Sequence, residues 1–349
     1  MKKIIALTVI ASCLLAFGCG SQNEAGISVS EEPADGVFPG FIQPASDEPG
    51  YGTSIAQNSQ PGGETPLPAS GYIEQDGLVY SLKGNDQSFY VSWDKKEPLT
   101  EVTIPATMKG FPVTEIRKFK DCKSLQKVHL SWGITSITVA AFYGCSSLLS
   151  IDLPDSLLDI GSHAFHNCDS LKTISIPAGV EIVSSDAFHG CVSLEVLEVD
   201  SENAQYHSSA NCLIETATKT LVSGCKTSVI PSDGSVQTIG DDAFRDMKSL
   251  KSIVIPDSVK RIGTGAFAGT GLSEIVLGNG VTVVSGLAFE GCGSLEEITL
   301  PASLKQISWS CLKDCPNLKK IIYKGTAAQW SEVTAEGQDS PPVEMTFEG

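Results

Sequence analysis

Residues 165–188 read Phe165-His-Asn-Cys168-Asp-Ser-Leu171-Lys-Thr-Ile174-Ser-Ile176-Pro177-Ala-Gly-Val180-Glu-Ile-Val183-Ser-Ser-Asp-Ala187-Phe188. Ile174 and Ile176 have the two-residue spacing of a strand with one buried side, so Ser175 between them must point the other way. Pro177 has no N–H to give to a ladder and ends the strand. Val180 and Val183 make a second apolar pair, and Ala187-Phe188 a third contact. The 23-residue coil thus turns apolar groups inward from every side. Alone it cannot bury them. Stacked on copies of itself it forms a continuous core, as a solenoid requires.

The copies are present. Phe142, Phe165 and Phe188 follow one another at 23 residues, each preceded by Ala and followed three residues later by Cys145, Cys168 and Cys191. Leu148, Leu171 and Leu194 come three residues further on. The pattern resumes at Phe244, Phe267, Phe289 and Leu312, at intervals of 23, 22 and 23, with a one-residue deletion at Gly269-Thr270-Gly271-Leu272. Phe119 opens the series in a degenerate unit. From Phe188 to Phe244 the interval is 56, one repeat plus 33 extra residues. Within that excess, Asn211-Cys-Leu-Ile-Glu and Leu221-Val-Ser-Gly-Cys225 are expected to pair as strands across Thr216 to Lys219. Eight units are counted, and the expected fold is a β-rich, right-handed solenoid.

The unit L-x-x-I-x-I-P-x-x-V-x-x-I-x-x-x-A-F-x-x-C resembles the BspA-like class of bacterial leucine-rich repeats over about residues 101–330. Gly71-Tyr-Ile-Glu to Thr103-Ile104-Pro105, followed by Gly110-Phe-Pro-Val-Thr-Glu-Ile116, resembles the β-rich opening cap of such domains. Tyr323-Lys-Gly-Thr-Ala-Ala-Gln-Trp330 resembles their closing segment, and the insertion at about 200–228 resembles a long repeat that many members contain. The resemblance implies adhesion or protein binding at a cell surface, with no cofactor. The expected plan is a signal segment over 1–19, a tether over 20–70, a β cap over 71–100, the solenoid over 101–330 and a tail over 331–349.

The N-terminus reads as an export signal. Lys2 and Lys3 precede an apolar run from Ile4 to Phe17, shorter than the ~20 residues that span a bilayer as a helix. Gly18-Cys19-Gly20-Ser21 resembles a bacterial lipobox, in which Cys19 carries the lipid. Ala16 and Phe17 depart from that pattern, which prefers Leu and then a small residue. Cys13, after Ile10-Ala11-Ser12, matches the box better but leaves an apolar run of only nine residues. Cys19 is the preferred site, and secretion without a lipid is the third reading. Residues 20–70 are rich in Pro, Gly, Ser and acid and lack a sustained apolar period, so they cannot offset their ordering entropy. A flexible chain of that length reaches roughly 40 Å.

Asp and Glu number 41 against 24 Lys and Arg, a net charge of −17. Removing Lys2 and Lys3 with the signal leaves 41 acids against 22 bases, or −19. Such a surface repels nucleic acid and anionic headgroups. The chain has no G-x-S-x-G, H-E-x-x-H, P-loop or G-x-G-x-x-G, and it reads as a protein other than an enzyme. Cys122, Cys145, Cys168, Cys191, Cys292 and Cys315 share one repeat position and are expected as buried free thiols packed as small hydrophobes. Cys212 and Cys225 are the pair for which a bridge stays open. Cys311 and Cys315 lack the second pair or His of a zinc site. His163, His166 and His189 cluster beside Tyr143 and are expected on a solvated coil exterior, without a metal.

The residue between the two buried strand positions faces outward: His129, Asp152, Ser175, Glu198, Val254, Val276, Thr299 and Ile322. The N-terminal half of this column is polar, whereas the C-terminal half carries Val254, Val276 and Ile322. Adjacent strands lie about 4.8 Å apart, so Val254 and Val276 are expected to touch, with Thr299 and Ile322 extending the stripe. Lys251, Lys319 and Lys320, with Glu274, Glu296 and Glu297, rim it. β-branched residues also favour strand for its own sake, but an apolar strip rimmed by charge suits a protein-binding face. The functional reading is a lipid-anchored, surface-exposed module of the bacterial cell envelope that binds an extracellular or host protein. The alternative is an envelope scaffolding lipoprotein with an internal protein partner.

Overall fold

The computed structural model describes residues 71–84, 87–336 and 341–349. The signal segment, Cys13, Cys19 and the tether expected over 20–70 lie outside the described residues. Most turns of the coil contribute one long and one short strand, and each type stacks in parallel on its own kind. Thr173–Ile176 pairs with Val196–Val199, matching Ile174 to Leu197, one 23-residue turn apart. On the short-strand side Asp159–Ile160 lies between Ser136–Ile137 and Ile182–Val183. The 22-residue turn appears in the register as Arg261 opposite Val283.

Ile174, Ile176, Val180, Val183, Ala187 and Phe188 are all buried. Their phenylalanines form a column: Phe142 to Phe165 and Phe165 to Phe188 stack at centroid distances of 5.5 and 5.6 Å, nearly parallel. The thiols form a second column. Cys145, Cys168 and Cys191 each donate to the carbonyl of the phenylalanine 26 residues earlier, at 3.2–3.3 Å. These thiols are free, as are Cys212 and Cys225. Burial pushes Cys145 and Cys191 up to about 12, so they are packing groups and poor nucleophiles.

An antiparallel meander of Tyr72–Gln75, Leu78–Leu82 and Phe89–Trp93 opens the stack, and its last strand pairs in parallel with Phe111–Ile116. At the other end Thr326 and Gln329 form a capping box around the single helical turn Ala327–Trp330. Trp330 packs its ring against Trp309 and Tyr323. Beyond it, Thr334–Glu336 and Met345–Phe347 add one more rung to each ladder.

The solenoid has about eleven turns, more than the eight units counted from the sequence. The count followed the phenylalanine position from Phe119 to Leu312 and passed over turns outside that series. In the turn of Ile230-Pro231 that position holds Gly224; another turn ends at Met345–Phe347. The insertion is a meander of Tyr206–Ser209, Cys212–Glu215 and Thr220–Ser223, whose last two strands pair across residues 216–219 as expected. Thr220–Ser223 then pairs in parallel with Thr238–Ile239 and restarts the short ladder.

Candidate functional site

Alternation along each long strand puts one residue per turn on the outer face. In the N-terminal turns that residue is polar, and at His129 it is bonded across strands. His129 Nδ1 lies 2.6 Å from Asp152 Oδ2, and its Nε2 lies 3.3 Å from Glu101 Oε1.

Further along, the column changes character. Val254 is 78 % exposed and Val276 59 %, so both face solvent as expected. A third valine, Val229, is 64 % exposed in the turn that the sequence count missed. It precedes Ile230-Pro231 as Val254 precedes Ile255-Pro256. Ser258 Oγ donates to the Pro231 carbonyl at 3.5 Å, which makes the two turns neighbours. The outward residues two places earlier, Thr227 and Ser252, carry no charge and are exposed. The signal that could have found Val229 is the run Ile230-Pro231, Val236, Ile239, Ala243-Phe244, the usual order with two extra residues after Pro231.

The rest of the expected stripe differs. Thr299 and Ile322 are only 4 % and 5 % exposed. Register explains the difference. Thr299 sits between Val276 and Ile322, and Ile322 between Thr299 and Thr346 of the last strand. Ion pairs Glu297–Lys320, at 3.4 Å, and Lys324–Glu348 flank the same face. Lys319 likewise pairs with Glu296 at 2.8 Å. Both lysines and Glu274 line an open cleft of about 440 Å³ beside Val276. Lys319 and Lys320 are thus neutralised within their own chain, whereas Lys251 stands exposed on the turn of Val254.

Val254 and Val276, expected to touch on neighbouring strands, are not paired in a ladder. The long ladder stops at Val199 and restarts at Glu274, and residues 251–256 make no ladder bond among the described residues. The insertion on one side and the shortened turn on the other break the 23-residue register around them. At the ends of the segment the backbones press together: a Cβ on Gly271 would stand 2.3 Å from the Lys248 carbonyl, and one on Gly278 2.5 Å from that of Ile255. The three valines therefore lie on three successive turns as an apolar window in a strongly acidic chain, with Lys251 and Glu274 at its edge.

The histidines also depart from expectation. Tyr143 and His166 do stack, at 4.9 Å, but the cluster is only partly solvated. His189 is buried and His166 and His163 partly so, because the insertion brings the turn of Phe244 against them. Among the described residues no group of three or more His, Cys, Asp or Glu is arranged to hold a metal ion.

Comparison with known proteins places the fold. The description "BspA type Leucine rich repeat region" matches residues 90–215 and 218–334 in 6 copies. The chain is similar to a leucine rich cell surface protein of Faecalibacterium prausnitzii, at 21% identity over 79% of this chain and 99% of that one, with a TM-score of 0.40. It is similar to a leucine-rich repeat protein of Bacteroides ovatus, at 23% identity over 79% and 78% of the two chains, with a TM-score of 0.47. The pneumococcal vaccine antigen PcpA shares 19% identity over 79% of this chain and 93% of its own, at a TM-score of 0.45. No curated protein matches. With well over half of its residues matched to that repeat, the chain belongs to the BspA-type leucine-rich repeat family.

Proposed function

We propose that the chain is a lipid-anchored, cell-surface binding module that holds an extracellular protein, with Val229, Val254 and Val276 at the centre of its contact face and Lys251 at the rim. One observation carries this reading. An outward column that is polar in the N-terminal turns holds three exposed valines in three successive turns. Solvent exposure of an apolar column brings a strand nothing, whereas burying each side chain against a partner is worth roughly 1.5–3 kcal/mol before the costs of association. Membership of a family whose surface proteins bind or adhere supports the same function. Thr299 and Ile322 belong to the floor beneath the neighbouring ion pairs, outside the contact face.

The anchor is assigned to Cys19. Metabolic labelling with a fatty acid should mark the wild type and Cys13→Ser but not Cys19→Ser; the opposite pattern moves the lipid to Cys13, and no label in the wild type removes it. For the binding face, cells carrying the full chain or its Val254→Asp/Val276→Asp variant are compared for attachment to a panel of immobilised extracellular proteins. Loss of attachment by roughly tenfold or more, at unchanged expression, is the expected result. Wild-type cells that attach to none of the panel, combined with protection of residues 20–70 from added protease on intact cells, would place the partner inside the envelope instead.

A further inference from the structure

The core of the stack divides at one level, and titratable groups gather there. In the regular turns the N–H two residues past the column phenylalanine donates to the next turn at 2.7–2.8 Å: Gly144 to His166, Asn167 to His189, Asp246 to Ala268. Between the turns of Phe188 and Phe244 the same bond, Gly190 to Arg245, is stretched to 3.5 Å. The ring column breaks there too. Phe188 stacks on Phe165, and the next stacked pair begins at Phe244. Gly224 fills the gap, so tightly that a Cβ on it would stand 2.0 Å from Phe244 Cε1. Both ladders are interrupted at this level, and the buried core divides into two clusters. An open cleft of about 740 Å³ runs along the outer edge across the joint, with His166, Gly190 and Asp246 in its lining.

Three imidazoles stand on the N-terminal side of this joint. Ring centroids of His163 and His166 are 5.0 Å apart, those of His166 and His189 5.8 Å, and those of His163 and His189 6.1 Å. His163 Nδ1 lies 2.7 Å from Asp186 Oδ2. That carboxylate also accepts from the Ser162 and Ser184 hydroxyls and the His163 N–H. Tyr143 covers the far face of His166, with the Lys120 ammonium above it. Asp242, Arg245 and Asp246 face the cluster from across the joint. His166 Nδ1 and His189 Nε2 are buried without a hydrogen-bond partner. Burial is the chief cause holding both rings below the ordinary imidazole range; neighbouring imidazoles add to it, and the aspartates oppose it.

We propose that the joint between the Phe188 and Phe244 turns is an acid-operated hinge, in which protonation of the His163, His166 and His189 cluster loosens the contact between the two parts of the solenoid. While the joint stays closed, burial and the neighbouring imidazoles oppose a proton on His166 and His189. Opening exposes the rings to water and restores their ordinary affinity. The open form therefore binds protons that the closed form refuses, so acid favours opening below an ordinary imidazole value of about 6.5 and has no effect well above it. The weakest part of the stack yields first because contacts in a solenoid are between nearest neighbours.

The test is hydrogen exchange on the full chain at about pH 7.5 and about pH 5.5, corrected for the intrinsic rate. Amides of residues 186–200 and 240–250 should open roughly tenfold more often at the lower pH, while those of residues 267–300 stay unchanged. In His166→Tyr/His189→Gln, with tyrosine chosen because Tyr143 fills the same column, the acid response should vanish. Uniform acceleration along the chain, no acceleration at the joint, or an equal response in the variant overturns the proposal. Should the variant fail to fold, the wild-type imidazole resonances decide. Two rings must titrate below the ordinary range together with amide shifts at the joint, and titration of all three at the ordinary value without such shifts overturns it.

Discussion

Asn167 Oδ1 lies 2.2 Å from the point where a Cβ on Gly190 would stand, and Gly190 holds a φ of +69°. The pair belongs to a column of left-handed residues, Asp121, Gly144, Asn167, Gly190, Asp246 and Gly269, at one corner of successive turns. Gly144 meets Asp121 Oδ1 and Gly269 meets Asp246 Oδ1 in the same way, each at 2.5 Å. The corner demands a left-handed backbone, which Asn and Asp tolerate and Gly adopts freely. A polar side chain there lies over the next turn, leaving room only for glycine. From Asp121 to Gly269, Asp or Asn therefore alternates with Gly, and Gly291 and Asp314 continue the left-handed corner beyond it.

Gly190→Ala should cost on the order of 1–3 kcal/mol through the left-handed backbone alone, with a steric share on top. In an Asn167→Gly background the steric share disappears. Denaturant midpoints of the four proteins separate the two terms. An identical cost in both backgrounds would show that Asn167 swings aside freely and only the backbone angle matters.

Phe165 is stacked on both faces, by Phe142 and Phe188, whereas Phe188 has a stacked ring on one face only. Truncating a buried phenylalanine to alanine leaves a cavity that costs about 3–5 kcal/mol. Phe165→Ala should fall at the upper end and Phe188→Ala at the lower, measured by thermal or denaturant unfolding. Phe188→Ala should also raise amide exchange at residues 186–200 before the distant turns respond. A near-wild-type melting curve for both would contradict the register of the column.

What the sequence made legible follows from periodicity. Every feature that depends on one turn meeting the next, such as Phe165 on Phe188 or Ile174 opposite Leu197, recurs at 23 residues and is visible as a repeat. Features that depend on a break in the period were hidden. Val229 lies in a turn with Gly224 at the phenylalanine position, so counting phenylalanines passed over it. The burial of His189 arises because the insertion brings Arg245 beside Gly190, a neighbour that no multiple of the period predicts. Alternation correctly pointed Thr299 and Ile322 outward on their strands, but direction says nothing about which side chains close over them.

The column cysteines should resist alkylation. Only the thiolate reacts, and burial raises Cys145, Cys191 and Cys315 to about 12. Cys315 alone among the described thiols is partly exposed. At about pH 8 the folded chain should label slowly at Cys315 and not at Cys145, Cys168 or Cys191 until denaturant is added. Peptide mapping after timed labelling checks the order. Early labelling of Cys168 in native buffer would mean that the phenylalanine and thiol columns open locally without global unfolding.

The sharpest contrast lies between neighbouring residues of one outward column. Val276 and Thr299 face each other across paired strands, yet Val276 is mostly exposed and Thr299 buried. An aspartate at Val254 or Val276 keeps its charge in water and should change stability by no more than about 0.5 kcal/mol. An aspartate at Thr299 must be desolvated between Val276 and Ile322 with no cation assigned to it, because Lys320 already pairs with Glu297. That substitution should cost on the order of 3 kcal/mol, and less at low pH, where protonation removes the charge. Unfolding curves of the three single variants at neutral and acid pH separate the cases. Equal, small effects at all three would mean that the ion-paired frame does not close over Thr299, and the contact face would then extend to Ile322. A large loss at Val254 would instead mean that the unpaired segment 251–256 is held by its outer side chains, and binding data from the double aspartate variant would report unfolding rather than contact.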